Sequence, residues 1–285
     1  MDSTGLRAKA ETLRALHVPG RPLVLVNAWD AATASVMERA GAAAVATSSA
    51  AAANALGYPD GELIGRDRML SAVAAIAAAV TVPVTADMEA GYGDDPQDAA
   101  ATARGVIEAG AVGLNLEDTA GGDPAALLPV ERFVDKIAAV REVAADSAVP
   151  LVLNARTDVF IGEVGEPAAR LEHAVARGRA YLAAGADCVF VPAVTDPGLI
   201  ATLVRELGGP VSVLATSASP PLPELARLGV ARISVGSGPY RAALALAARI
   251  AAAAYEQEDL EPLNAEQLPF GELQALLRRP TRSDL

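Results

Sequence analysis

PVTADMEAGYGDDPQDAAATARGVIEAGAVGLNLED, residues 83–118, decides the fold. It opens and closes on short apolar runs, Pro83–Glu89 and Val112–Asp118. Near-continuous hydrophobicity marks strands buried on both faces, as parallel strands require. Between them Asp95-Pro96 opens a helix, with a capping acid and then a proline at the first helical position. An Ala-rich segment follows, and Gly110 closes it where a helix needs a left-handed residue. The stretch is one strand–helix–strand unit.

The unit recurs on both sides. Further apolar runs are Leu23–Trp29, Ala44–Ser49, Pro150–Thr157, Cys188–Ala193, Pro210–Thr216 and Arg232–Gly236, which makes eight expected strands. Gly41, Gly185, Gly208 and Gly229 close helices as Gly110 does, and Asp196-Pro197 opens one. Eight even units in about 230 residues predict a closed (β/α)8 TIM barrel. An open doubly wound sheet is the alternative, but no GxGxxG follows the first strand. A helix over Thr4–Leu16 precedes the barrel. The tail from Tyr255 is more polar and carries Pro262, Pro269 and Pro280. The expected division is a barrel domain over 1–255 and a C-terminal arm over 256–285, a linker plus a docking helix at Pro269–Arg279.

Composition narrows the function. Hydrophobic residues make up 52%, enough for a large core, and the net charge is −12. So acidic a chain lacks the basic footprint of a nucleic-acid binder. Cys188 is the single cysteine, which excludes a disulfide framework and suits a reducing compartment. The N-terminus carries charges throughout and has no apolar signal core, and the apolar stretch 72–86 is broken by Pro83. A cytoplasmic protein with no membrane segment is expected.

Barrel chemistry sits at the C-terminal ends of the strands. Those ends carry Ser48 and Ser49, Asp87 and Glu89, Glu117 and Asp118, then Asn154, Arg156 and Asp158. Asp87 and Glu89 are two apart, so on a strand both point to one face. With Glu117 on the next strand, three carboxylates repel one another unless a positive group sits among them. A hard cation such as Mg²⁺ or Mn²⁺ answers that need; helix capping or arginine pairing is the alternative. Arg156, with Asn154 on the same face, can grip a carboxylate or phosphate at two points, or pair with Asp158 or the acids. Ser48 and Ser49 offer hydroxyls and N–H groups to an anion, or simply permit close packing.

Absences matter as well. Lys9 and Lys136 are the only lysines and fall on expected helices, which excludes a Schiff-base lysine inside the barrel. His17 and His173 also fall on expected helices, leaving no histidine base at the mouth, and Cys188 reads as a buried small hydrophobe. Chemistry is left to a metal, carboxylates and an arginine, the metal stabilising a developing enolate.

Four motifs stand in order at strand ends 2 to 5: LGYPDGEL (56–63), TADMEAGYG (85–93), LNLEDTAG (114–121) and NARTDVF (154–160). Together they resemble the isocitrate lyase/phosphoenolpyruvate mutase superfamily over about residues 20–250. The resemblance implies a (β/α)8 barrel, a homodimer or homotetramer with exchanged C-terminal helices, Mg²⁺, and a small carboxylate substrate cleaved through an enolate. It implies that Asp87 is the direct metal ligand, that Glu89, Glu117 and Asp60 are outer acids acting through water, and that Arg156 binds the substrate carboxylate. Ser48 and Ser49 stand where the family has a Ser-Gly pair at the oxo-acid end. Glu117, Asp60 and Arg156 are thus the expected catalytic groups, with Ser48, Ser49, Asn154 and Arg156 binding substrate.

The loop after strand 4, TAGGDPAALLP (119–129), departs from the family's KRCGH-like loop and has no Cys, Lys or His. Pro192 and Leu214 stand where methylisocitrate lyases place Glu and Asn, which speaks against a tricarboxylate substrate. Thr119 is a poor match to the loop of phosphonopyruvate enzymes. The expected activity is Mg²⁺-dependent C–C cleavage, or decarboxylation, next to a small 2-oxo or 2-hydroxy carboxylate. The alternatives are C–P chemistry on phosphonopyruvate or phosphoenolpyruvate, a phosphate grip by GSGPYR (236–241), and a barrel that only binds a metabolite.

Overall fold

Eight parallel strands close on themselves in the computed structural model, which describes residues 3–121, 123–264 and 267–278. The first strand is split around Val26. Its Leu23–Leu25 half pairs with the eighth strand, Arg232–Ser234, and its Asn27–Ala28 half pairs with the second, Val45–Thr47. Between these lie the third (Val84–Asp87), fourth (Gly113–Glu117), fifth (Val152–Arg156), sixth (Cys188–Phe190) and seventh (Val211–Leu214) strands, each paired with its neighbours. Splitting one strand lets its two halves pair on opposite sides, so the sheet has no open edge for another chain to join. The barrel expected from the repeats is the observed architecture.

The local signals act as their chemistry requires. Asp95 caps the helix Pro96–Glu108 in a reciprocal capping box, and Asp196 caps Pro197–Leu207. Gly41, Gly110, Gly185, Gly208 and Gly229 all have positive φ. Apolar residues on the outer faces of the strands meet Ala-rich helix faces. Ala99, Ala103 and Val106, for example, are buried on Pro96–Glu108. Burying one Val or Leu side chain contributes about 1.5–3 kcal/mol. With 4% aromatics, this layer gains its stability from many small side chains packed closely.

The N-terminal helix, Ser3–Ala15, closes the floor of the barrel, opposite the mouth. Leu6, Ala10 and Leu13 form its buried face, and Leu13 lies so close to Gly113 that a Cβ there would meet it at 2.7 Å. This helix ends before His17, so that residue is not helical as expected. It occupies the turn before the first strand, where Nδ1 bonds the Leu13 carbonyl oxygen at 2.8 Å.

At the other terminus, Gly238–Glu256 is a long helix with only Tyr240 and Ala253 buried. The arm continues through Glu261–Asn264 and Phe270–Leu276, and Glu272 meets Arg39 at 3.4 Å. Tyr255 and Phe270 are 86% and 78% exposed, so the apolar side of this segment is not covered by its own barrel. Residues 265, 266 and 279–285 of the expected arm lie outside the described residues. No described helix is long and apolar enough to cross a membrane.

Burial, then the nearby Arg232, pull His17 down to about 4. Its folded pKa lies below the unfolded value, so the stability it contributes is present above about pH 6.5 and lost as pH falls toward 4. Relative to His17→Gln, wild-type protein should lose about 3 kcal/mol of unfolding free energy between pH 7 and 4, read from urea melts. A constant difference between the two proteins across that range would exclude this role.

Candidate active site

Asp87 closes the third strand and ties three strands together. Its Oδ2 accepts from the Ser49 N–H at 3.1 Å and the Ser49 hydroxyl at 2.8 Å. Its Oδ1 accepts from the Asn115 amide at 3.2 Å, and its own N–H donates to Thr47 Oγ1 at 2.8 Å. Ser49 is therefore spent on Asp87. Ser48 caps the short helix Ser49–Ala55, accepting from the Ala51 N–H at 3.3 Å.

Glu117 and Arg156 end neighbouring strands in register and form an ion pair at 2.7 Å. The other edge of the guanidinium meets Asp158 at 2.5 and 2.7 Å. The pairing of Arg156 with Asp158 and with the acids is thus the arrangement present. Behind it, Asp118 is fully buried and accepts from Asp158 N–H, Arg177 and Tyr181 at 3.0, 2.7 and 2.6 Å. Arg177 and Tyr181, two turn-spaced residues on the helix Arg170–Ala183, gave no sequence signal.

Glu89 departs from expectation. The third strand stops at Asp87, so the two acids do not share a strand face. Glu89 has φ +51°, a left-handed conformation that costs a non-glycine residue of order 1 kcal/mol or more. Lys136, fully buried on the helix Val130–Asp146, fixes this loop by donating to the carbonyls of Ala90 and Gly93. The left-handed turn still brings the Glu89 carboxyl to the cavity beside Asp60. Its Oε1 accepts from the Gly61 N–H at 3.2 Å, and its Oε2 is buried with no donor.

Two adjoining cavities, 280 and 160 Å³, occupy the mouth and share Ser49, Asp60, Arg156 and Ile161. Together their walls hold Asp60, Asp87, Glu89, Glu117 and Asp158 against a single arginine, Arg156. No His, Lys or Cys is among the lining residues. Burial pushes Glu89 above the usual carboxylate range, and the adjacent Asp60 carboxyl pushes it further. Burial also raises Glu117, against the pull of Arg156. An isolated cluster of this kind has to take up protons or a cation. Cys188 lies in the wall of the barrel, its thiol pushed up to about 12 by burial.

Among the described residues, no three His, Cys, Asp or Glu side chains group closely enough to hold an ion by themselves. Asp87 is turned to Ser49, Glu117 to Arg156, and Glu89 to Gly61, so the four expected ligands do not form a bare cage. Asn154 is also displaced from its expected place. It is fully buried and lines neither cavity, and its amide donates to Asn115 at 2.9 Å. Arg232, fully buried inside the barrel, donates to the same Asn115 oxygen at 3.0 Å. In the GSGPYR loop two N–H groups are already engaged: Gly236, with Val235 before the loop, donates to Asn27 Oδ1 at 2.9 and 3.0 Å, and Gly238 donates to the Val235 carbonyl at 3.2 Å.

Over the site lies a hairpin, Thr119–Ala120 paired with Asp123–Leu127. Pro124 and Ile161 both face the cavity. At Gly162 a Cβ would stand 1.8 Å from the Pro124 carbonyl oxygen, so only glycine lets the hairpin lie this low.

The phosphoenolpyruvate phosphomutase family model matches residues 13–255. An uncharacterized protein of Mycobacterium tuberculosis is 35% identical over 265 residues, covering 92% of this chain and 94% of the relative. An oxaloacetate decarboxylase of Ectopseudomonas mendocina is 33% identical over 207 residues, covering 69% and 67%. A phosphonopyruvate hydrolase solved with oxalate and Mg²⁺ superposes with TM-score 0.82 at 26% identity, covering 94% of each chain.

Gly162→Ala should lift the hairpin, since overpacking of this kind typically costs about 1–3 kcal/mol. Amide hydrogen exchange across 123–128 is expected to quicken about tenfold while the barrel strands keep their protection. Unchanged exchange there would show that the hairpin does not depend on this contact.

Proposed function

Because the chain belongs to the phosphoenolpyruvate phosphomutase family, whose relatives here include lyases, mutases and hydrolases, we propose that it is a Mg²⁺-dependent carbon–carbon lyase. Its substrate would be a small 2-oxo carboxylate, and decarboxylation is the form of cleavage the site suits best. One observation carries this reading: the lining residues of the mouth include no His, Lys or Cys, and the hairpin over it brings none. Loss of a carboxylate carried on C3 of a 2-oxo acid asks for no proton transfer while the bond breaks. The C–C electron pair passes into the 2-oxo group, CO₂ leaves, and C3 then takes a proton from water.

Magnesium suits the donors. They are all hard oxygens, and Mg²⁺ normally keeps several waters while using one or two carboxylates. That habit is compatible with acids that do not close into a cage among the described residues, and Glu89 Oε2, buried without a donor, offers an oxygen to the ion's hydration shell. Asp87 would hold the ion directly, with Asp60, Glu89 and Glu117 holding its waters; Mn²⁺ would satisfy the same set. When bound, the ion supplies positive charge to an oxygen on which negative charge develops.

Arg156 would receive the substrate carboxylate, exchanging Glu117 for it while Asp158 keeps the guanidinium in place. Ser48 lines the second cavity and would contact the oxo-acid end. Ile161 and Pro124 limit the room above. Pro192 and Leu214 line the second cavity and offer no side-chain hydrogen bond to a third carboxylate. The exposed faces of Gly238–Glu256 and of the arm, with Leu244, Tyr255 and Phe270, support assembly into a homo-oligomer by helix exchange.

The test is a substrate panel of oxaloacetate, phosphonopyruvate, methylisocitrate and substituted malates, run with Mg²⁺ and with EDTA. Metal-dependent CO₂ or pyruvate release is expected, with Asp87→Ala and Arg156→Ala each lowering kcat/KM about 10²–10³-fold. Full activity in Asp87→Ala would remove the metal assignment. Phosphate release from phosphonopyruvate without C–C cleavage would replace the reaction class. Tight Mg²⁺-dependent oxalate binding with no turnover would leave a binding protein.

A further inference from the structure

The interior of a (β/α)8 barrel is ordinarily filled with branched apolar side chains. Here a charged one stands below the site. Arg232 opens the eighth strand, is only 1% exposed, and has no carboxylate within ion-pairing distance among the described residues. Its Nε and Nη1 have no partner, and its single hydrogen bond runs from Nη2 to Asn115 Oδ1. A buried guanidinium with so little compensation destabilises the fold, and nothing in the proposed reaction uses it.

The far side of Asn115 explains its position. A carboxamide has a donor end and an acceptor end, a guanidinium only donates, and a carboxylate only accepts. Asn115 accepts from Arg232 at 3.0 Å and donates to Asp87 Oδ1 at 3.2 Å. The amide thus joins a donor-only cation to an acceptor-only anion, and each end fixes the same orientation. Asn154 supports it with a second bond to Asn115 Oδ1, but it anchors weakly, because its own Oδ1 has no partner to lose on turning over. With Ser49 holding Oδ2, both oxygens of Asp87 are fixed before any ion arrives.

We propose that Arg232 is a positioning residue for the metal site, the counter-ion of Asp87 acting through the Asn115 amide. The inference rests on the reading of Asp87 as the ligand of Mg²⁺. It assigns a task to Arg232, Asn115 and Asn154, three polar residues buried inside the barrel.

The experiment is calorimetric titration of the full-length protein with MgCl₂ alone, after thermal melts confirm folding. Wild type should bind Mg²⁺, and Asp87→Ala should not; a wild type that does not bind overturns the metal reading itself. Arg232→Met should weaken Mg²⁺ binding about tenfold, the scale of one hydrogen bond to a charged group. Arg232→Lys, which keeps the charge and donates only, should stay within about threefold. In an Asn115→Ala background, Arg232→Met should weaken binding no further, because the two residues act in series. If Arg232→Met does not fold, Arg232→Gln takes its place, since a carboxamide cannot supply the fixed charge. Unchanged or tighter Mg²⁺ binding on losing the cation overturns the inference, because an arginine acting only by its distant field would repel the ion. An equal loss in the Asn115→Ala background overturns it as well.

Discussion

Five carboxyl groups meet at the barrel mouth with one guanidinium between them, and the surrounding structure is arranged around that imbalance. Arg156 answers two of the acids. Ser49 and Asn115 hold a third by hydrogen bonds, and the Gly61 N–H donates to a fourth. Farther out, Asp118 is neutralised by Arg177, and Lys136 is sunk beneath the loop that carries Glu89. The positive groups stand mostly behind the acids rather than among them. Negative charge is therefore left facing the cavity, which is the condition for receiving a cation together with an anionic substrate.

The barrel was legible because its signals are local and repeated. A capping Asp followed by Pro, or a Gly after an Ala run, means the same thing in every unit. The acids at the strand ends were legible for a related reason, since a parallel strand delivers its last side chains to one rim. Glu89 shows where this reasoning stops. Two residues after Asp87 implies a shared face only if the strand continues, and it gives way to a left-handed turn stabilised by a lysine that is distant in sequence.

Asn154 and Arg232 show a second limit. A polar residue in an apolar strand announces a special place, but not its depth. Asn154 shares a face with Arg156 as expected, yet one step down the strand moves it from the cavity into the packed interior. Its partners, Asn115 and Arg232, come from the fourth and eighth strands, and only closure of the barrel brings those together. The pairing of Arg156 with both Glu117 and Asp158 was open for the same reason: one-dimensional spacing allows either partner, and the folded register supplies both.

The hairpin over the mouth is built in two unequal parts. Its base is bound into the fold, with the Leu128 N–H donating to the Asp118 carbonyl and Arg177 reaching the Leu128 carbonyl. Its second strand, Asp123–Leu127, rests on Gly162 at Pro124 and is exposed over its first three residues. A change at these exposed residues therefore costs the barrel little, whereas it alters what stands above the substrate. Such a part is suited to evolutionary exchange. A lineage can gain or lose an acid, a base or a nucleophile there while the charge arrangement below is inherited intact, so that one scaffold diversifies its chemistry by editing a few residues that do not hold it together.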